Sequence, residues 1–358
     1  MEWPSHGSNP SYLYESLNLP IPQSMIDFSV NINPYGTPRS IIERWRNFYD
    51  IIHDYPDPKS LSLRQAIAEK ENVPIETVFV GNGAAEVIHL LANTLLEKQK
   101  VIIVEPTFSE YGKACAKVDS SVISHIVTEA NGWKLKADEL IEQLEGVKGI
   151  FICNPNNPTG TVHEKQELLK LIKACHERHV LVFIDEAFVD FSVEDVSMKS
   201  HRATFPNVII LRSLTKMYAI AGLRLGYCLA DKSIVQRLEQ AQVEWSVNAL
   251  AQQIGELCLK DEAFVTDTKM KIATERMRLF PLLREYGFRI SDSRVNYYLM
   301  KHESISSEEW LTYLLKKGIV ARHTMNFRGL KGDYLRFSIR TKEENDRLLE
   351  VIQERCSS

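Results

Sequence analysis

Lys216 closes VIILRSLTK (208–216), an apolar strand-like run that delivers first a serine, Ser213, and then an amine; Arg224 follows within GLRLGY. A lysine so placed can bond covalently to a carbonyl, and a neighbouring hydroxyl and guanidinium can clamp an anion. Three other runs also end in polar groups. FIDEAF (183–188) terminates in Asp185 and Glu186. Burial raises the pKa of an isolated carboxylate, so an ionised Asp185 there requires a cationic partner, supplied by the protein or by a ligand. NPNNPTG (154–160) locks asparagine amides between prolines and so fixes the direction of their hydrogen-bonding groups. GNGAAE (81–86) is a glycine-containing turn between a strand and a helix, and backbone N–H groups at such a helix start form an anion site. A dinucleotide fingerprint would need glycine where Glu86 stands.

The elements that position these groups read as alternating short strands and helices. TVFVG (77–81), VIIVEP (101–106), VISHIV (122–127), GIFICNP (149–155), VLVFIDEA (180–187), VIILRS (208–213) and LGYCLA (225–230) are the candidate strands. Helical patterns such as AAEVIHLLANTLLE lie between several of them. This alternation predicts an α/β fold with a mostly parallel seven-stranded sheet flanked by helices, whose ligands gather at the carboxyl ends of the strands. Beyond residue 231 the texture changes to long helices and then to FRISD, NYYLMKH, IVARH and DYLRFSIR around EEWLTYLLKKG, a smaller α+β unit. The expected organisation is an arm (1–40) serving the substrate site and the small domain, a large domain (41–255) and a small C-terminal domain (256–358).

A chain of 358 residues can build two such unequal domains. Lys+Arg 43 against Asp+Glu 47 leaves a net charge of -4 and no basic stripe, which argues against nucleic acid as a partner. The six cysteines are scattered without a CxxC pair, as in a reduced compartment, and no apolar run is long enough to span a membrane. A cytoplasmic protein is expected. CHERH (175–179) has the look of a metal cluster but ends an amphipathic helix with no third ligand nearby, so no metal is expected.

One cofactor uses all four strand-end groups at once. Pyridoxal 5'-phosphate needs a lysine for its Schiff base, a carboxylate for its ring nitrogen, a donor to its phenolate oxygen, and N–H, hydroxyl and guanidinium groups for its phosphate. In order, GNGAAE, PTFSEY, NPNNPTG, DEAF, SLTK and GLRLGY resemble the fold-type-I aminotransferase superfamily over nearly the whole chain. The resemblance implies Lys216 as the Schiff-base lysine, Asp185 at the ring nitrogen, Asn157 at the phenolate, and Phe108 stacked on the ring. Ser213, Arg224 and the backbone around Ala84 and Ala85 would hold the phosphate. Tyr55 in HDYPDP matches a tyrosine that reaches the phosphate of a neighbouring subunit, which implies a homodimer with shared sites. Phe188 stands where many members have tyrosine, and losing that hydroxyl removes one stabiliser of the phenolate.

On the substrate side, Arg336 and Arg340 lie four apart in DYLRFSIRT, on one face if the segment is a strand, and IVARH adds Arg322. Three guanidiniums exceed the need of a single carboxylate, so the substrate is expected to carry a second anion, a phosphate. HGSN (6–9), DFSVNINPYG (27–36) and WSVNALA (245–251) resemble the L-threonine-O-3-phosphate decarboxylases of cobalamin synthesis. That resemblance implies His6, Asn31, Arg322 and Arg340 at the substrate phosphate, with Arg336 and Asn157 at its carboxylate. The alternatives are a histidinol-phosphate aminotransferase, which shares NPNNPTG and the Arg336 position, and a pyridoxal-phosphate-binding regulator, which would carry an added DNA-binding module.

Overall fold

The computed structural model describes Trp3, Gly7 and residues 9–356. Its strands run β1 (Ile26–Asp27), β2 (Val78–Asn82), β3 (Lys100–Glu105), β4 (Ser121–Ile126), β5 (Val147–Cys153), β6 (Leu181–Asp185) and β7 (Val208–Ser213). They continue with β8 (Leu225–Leu229), β9 (Phe288–Ile290), β10 (Tyr297–His302), β11 (Ile319–Val320), β12 (Arg322–His323) and β13 (Leu335–Ser338). All seven strands expected before residue 231 join one sheet in the order β2-β8-β7-β6-β5-β3-β4. Only β8 runs antiparallel to its neighbours, β2 and β7.

Alternation along the central strands divides the apolar side chains between two layers. Phe79, Phe151, Phe183, Ile209 and Leu211 pack with Val87, Ile88 and Leu91 of the helix Gly83–Leu95. Ile150, Ile152, Val182, Ile184 and Ile210 pack on the other face with Leu168, Leu171 and Ile172 of the helix Lys165–Glu177. Coverage of both faces explains why β5, β6 and β7 read as near-continuous apolar runs rather than alternating ones.

Glycine sets the fit between sheet and helix at one point. Gly226 pairs with Gly81 across β8 and β2, and a Cβ on Gly226 would lie 2.3 Å from the backbone nitrogen of Ala84. The start of the helix Gly83–Leu95 therefore rests directly on the strand backbone.

A second, antiparallel sheet has the order β12-β13-β10-β9. The arm ties into this part of the chain: β1 pairs in parallel with β11 as a separate two-stranded sheet, and the Phe28 carbonyl accepts from the Ser338 amide of β13 at 2.8 Å. Tyr297 and Ser291, from the second sheet and its approach, donate to the carbonyls of Asn156 and Thr159 in the NPNNPTG loop at 2.9 and 2.6 Å. The loop is thus held from both sheets. Among the described residues no helix is long and apolar enough to cross a membrane.

Candidate active site

A cavity of about 430 Å³ opens at the carboxyl ends of β5, β6 and β7, and it gathers most of the residues singled out in the sequence. Lys216 lies in the single helical turn Leu214–Met217 directly after β7. Burial, with Arg224 and Arg336 adding repulsion against the pull of Asp185, brings its amine down to about 8. A lysine so tuned is more readily deprotonated than an ordinary one, as a nucleophile or proton carrier requires.

Asp185 and Glu186 leave β6 on opposite sides. Asp185 continues the Phe183 face into the cavity, where its carboxylate accepts from the Ala187 amide at 2.9 Å and the Tyr111 hydroxyl at 2.5 Å. Burial still raises its pKa, the state of a carboxylate that a cationic ligand would complete. Glu186 turns to the far face, accepting from Ser197 Oγ and the Met198 amide, both at 2.7 Å, and pairing with Arg212 at 3.0 Å.

The anion end is built from the glycine turn. Ala84, Ala85, Ser213 and Arg224 line the cavity together, and a Cβ on Gly83 would come within 2.6 Å of Arg224 Nη2. Only a glycine lets the guanidinium lie against the helix start. Ser213 Oγ shares a hydrogen bond of 2.7 Å with Thr215 Oγ1. Phe108 also lines the cavity, with its ring edge-on to Tyr111. Phe188 is buried on the cavity wall, perpendicular to the ring of Tyr297.

At the opposite end stand two buried arginines. Arg336 on β13 donates to Asn157 Oδ1 at 2.6 Å and to the Ser29 carbonyl at 2.7 Å. Its Nε has no hydrogen-bond partner, and burial brings the group down to about 10. With its oxygen occupied by Arg336, Asn157 keeps its amide nitrogen as the donor for a ligand. Arg322 on the adjacent strand β12 reaches Asn326 Oδ1 at 2.7 Å; burial first, and then Arg336, bring it down to about 9. Asn31, also buried on the cavity wall, has an Oδ1 with no hydrogen-bond partner. Gly7 of the arm closes over this end, where a Cβ would stand 2.8 Å from the Ser29 carbonyl oxygen.

Arg340 departs from expectation. The strand ends at Ser338, so the alternation that would have aligned it with Arg336 has lapsed. Its guanidinium instead binds both oxygens of Glu344, at 3.1 and 2.8 Å, and it does not line the cavity. Tyr55 is 82% exposed, against the ring of Trp245, and lies outside this chain's own cavity. His6 lies outside the described residues. Tyr111 was missed in the sequence, although PTFSEY places it one helical turn after Phe108.

An amine, a buried carboxylate, an amide donor and a cradle of N–H, hydroxyl and guanidinium groups suit pyridoxal 5'-phosphate. The unpartnered Arg336 Nε and the Gly83 cradle fit an anion at each end. Over 340 residues the chain is 36% identical to the threonine-phosphate decarboxylase of Salmonella typhimurium, covering 93% of this chain and 91% of that protein. It is 32% identical to a histidinol-phosphate aminotransferase of Methanococcus aeolicus, covering 93% and 90%. The crystal structure of the histidinol-phosphate aminotransferase from Clostridium acetobutylicum superposes with a TM-score of 0.87 at 29% identity, covering 92% of this chain and 98% of that one. The family model for class I and II aminotransferases matches residues 23–352, and the chain belongs to this family of pyridoxal-phosphate-dependent enzymes.

Proposed function

We propose that the protein decarboxylates L-threonine O-3-phosphate to (R)-1-amino-2-propanol O-2-phosphate, a step of cobalamin synthesis. The observation that carries this reading is the pair of buried guanidiniums, Arg336 and Arg322, at one end of one cavity. Two adjacent cations there suit a small substrate with two anionic groups, a carboxylate and a phosphate. The Salmonella relative, named for that reaction, supports it.

When bound, pyridoxal 5'-phosphate supplies an electron sink conjugated to the substrate's Cα. The lining of the cavity supports the following roles for the chain. Arg224, Ser213 and the backbone of Ala84 and Ala85 would hold the cofactor phosphate, Phe108 would lie against the ring, Asp185 would meet the ring nitrogen, and Asn157 would donate to the phenolate oxygen. Arg336, with Asn157, holds the substrate carboxylate and so decides which bond at Cα is presented for cleavage. Arg322 and Asn31 take the substrate phosphate. Lys216 Nζ, neutral in part near pH 8, carries the proton returned to Cα.

The deciding experiment incubates the cofactor-loaded protein with L-threonine O-3-phosphate and no keto acid. Sustained CO2 release over many turnovers is expected. Silence there, with histidinol phosphate formed from glutamate and imidazole acetol phosphate, would replace this reading with the aminotransferase one.

A homodimer is part of the proposal. Ile42, Trp45, Ile52 and Leu61 are each more than half exposed on the segment that carries Tyr55, an apolar face suited to a second copy. Sedimentation at micromolar concentration should give twice the 41.0 kDa chain mass, and a persistent monomer would refute it.

A further inference from the structure

Asp185 carries the charge that the ring nitrogen requires, yet it sits in the worst place for a charge. It is fully enclosed at the end of β6, and enclosure favours its neutral acid. A neutral acid there would leave the ring nitrogen without an ion-pair partner. Something in the protein must offset that tendency, and the strongest group within reach is Tyr111.

The phenol stands in the helix Glu110–Lys117, fully buried, with its hydroxyl 2.5 Å from Asp185 Oδ2. Its ring has little freedom. It stacks on Phe151 at 5.0 Å and 8°, Phe151 stacks on Phe183 at 4.5 Å and 18°, and Phe108 closes edge-on at 5.9 Å. This aromatic column spans β5 and β6 and ends beneath the carboxylate. The other oxygen of Asp185 is fixed by the Ala187 amide, so both are held in direction as well as in charge. The titratable groups around Asp185 are Tyr111, Cys153 at the end of β5, Tyr297 of β10 and Lys216 after β7. Burial keeps Tyr111, Cys153 and Tyr297 neutral, which leaves Lys216 as the one cation. In a working site that amine is engaged with cofactor or substrate, so the phenol is the side-chain donor that stays, beside the Ala187 amide.

We propose that Tyr111 is a positioning residue that holds the Asp185 carboxylate, as the anion, toward the ring nitrogen of the cofactor. It does not line the cavity and acts through Asp185. The inference rests on the cofactor role assigned above to Asp185 and is independent of which amino acid is the substrate.

The test titrates the full apo chain with pyridoxal 5'-phosphate between pH 5 and 9, following the cofactor's absorbance, for wild type, Y111F, D185N and the double variant. Phenylalanine keeps the aromatic column and removes only the hydroxyl. Losing a hydrogen bond to a charged group should weaken cofactor binding by about 10- to 100-fold. Because Asp185 then becomes harder to ionise, the acid limb of binding should move to higher pH. In the D185N background the same substitution should change affinity by less than about twofold, since coupled residues lose their effect together. Where Y111F fails to fold, 3-fluorotyrosine at position 111 keeps the packing and strengthens the donor, and the acid limb should move to lower pH. Unchanged binding with an unmoved limb, or an equal loss in the D185N background, would overturn the proposal by reducing Tyr111 to packing. Unimpaired binding by D185N alone would overturn it together with the Asp185 assignment. Neither result would bear on the CO2 assay, which reports the substrate.

Discussion

Two buried clusters flank the same sheet, and their arginines behave in opposite ways. On the far face, Arg212 lies 3.0 Å from Glu186, 3.7 Å from Asp190 and 3.9 Å from Glu71, while Lys199 and the Tyr227 hydroxyl, each at 2.6 Å, complete Glu71. Carboxylates surround that guanidinium and push its pKa above the ordinary arginine value despite burial. On the cavity side Arg336 is equally buried, but among the described residues no carboxylate pairs with it, and its pKa falls. A cation satisfied by its own chain is a structural part, whereas a buried one left to amide and carbonyl oxygens is shaped for an anion that arrives from outside.

Removing each arginine should separate the two roles. Arg212→Met leaves Glu186 in the interior without its cation, and breaking such a buried network should cost about 3–5 kcal/mol of stability. Denaturant unfolding of the apo-protein measures this directly, and a loss below about 1 kcal/mol would erase the contrast. Arg336→Met should act elsewhere. It removes a buried charge that only Asp27 offsets, from beyond ion-pair distance, but leaves Asn157 Oδ1 and the Ser29 carbonyl without their donor, so the two effects offset and unfolding should shift by no more than about 1 kcal/mol. Its signature should instead be a 10- to 100-fold weaker interaction with carboxylate-bearing substrate, the size of a lost charge-assisted hydrogen bond. A large stability loss with unchanged substrate affinity would place Arg336 beside Arg212.

The same contrast marks what the sequence could disclose. Lys216, Asp185 and Ser213 were legible because each closes or follows an apolar run long enough to be a strand, and strand ends converge in an open α/β sheet; Arg224, which precedes its strand Leu225–Leu229, was legible through the GLRLGY motif. Burial on both faces made those runs unambiguous. The resemblance singled out Asp185 and gave Glu186 no role; the buried pairing of Glu186 with Arg212 depends on which way the backbone turns it and on a strand distant in sequence. Tyr111 went unmarked, since its meaning depends on β6 lying under it in space. Arg340 failed for a related reason: a spacing of four means one face only while the strand lasts, and this strand stops two residues short. Glu344 offered the missing hint, four residues further on at the entrance to the helix Lys342–Cys356.

Gly226 carries a consequence for anyone who would alter this enzyme. With Ala84 resting on it at a distance no side chain allows, the glycine turn is cast against the sheet like a bearing in its housing. In a saturation library this position should be nearly blank, with even alanine rare among active clones. A sequence designer would have to treat the strand and the turn as one indivisible module, and look for altered specificity at the arginine end of the cavity instead.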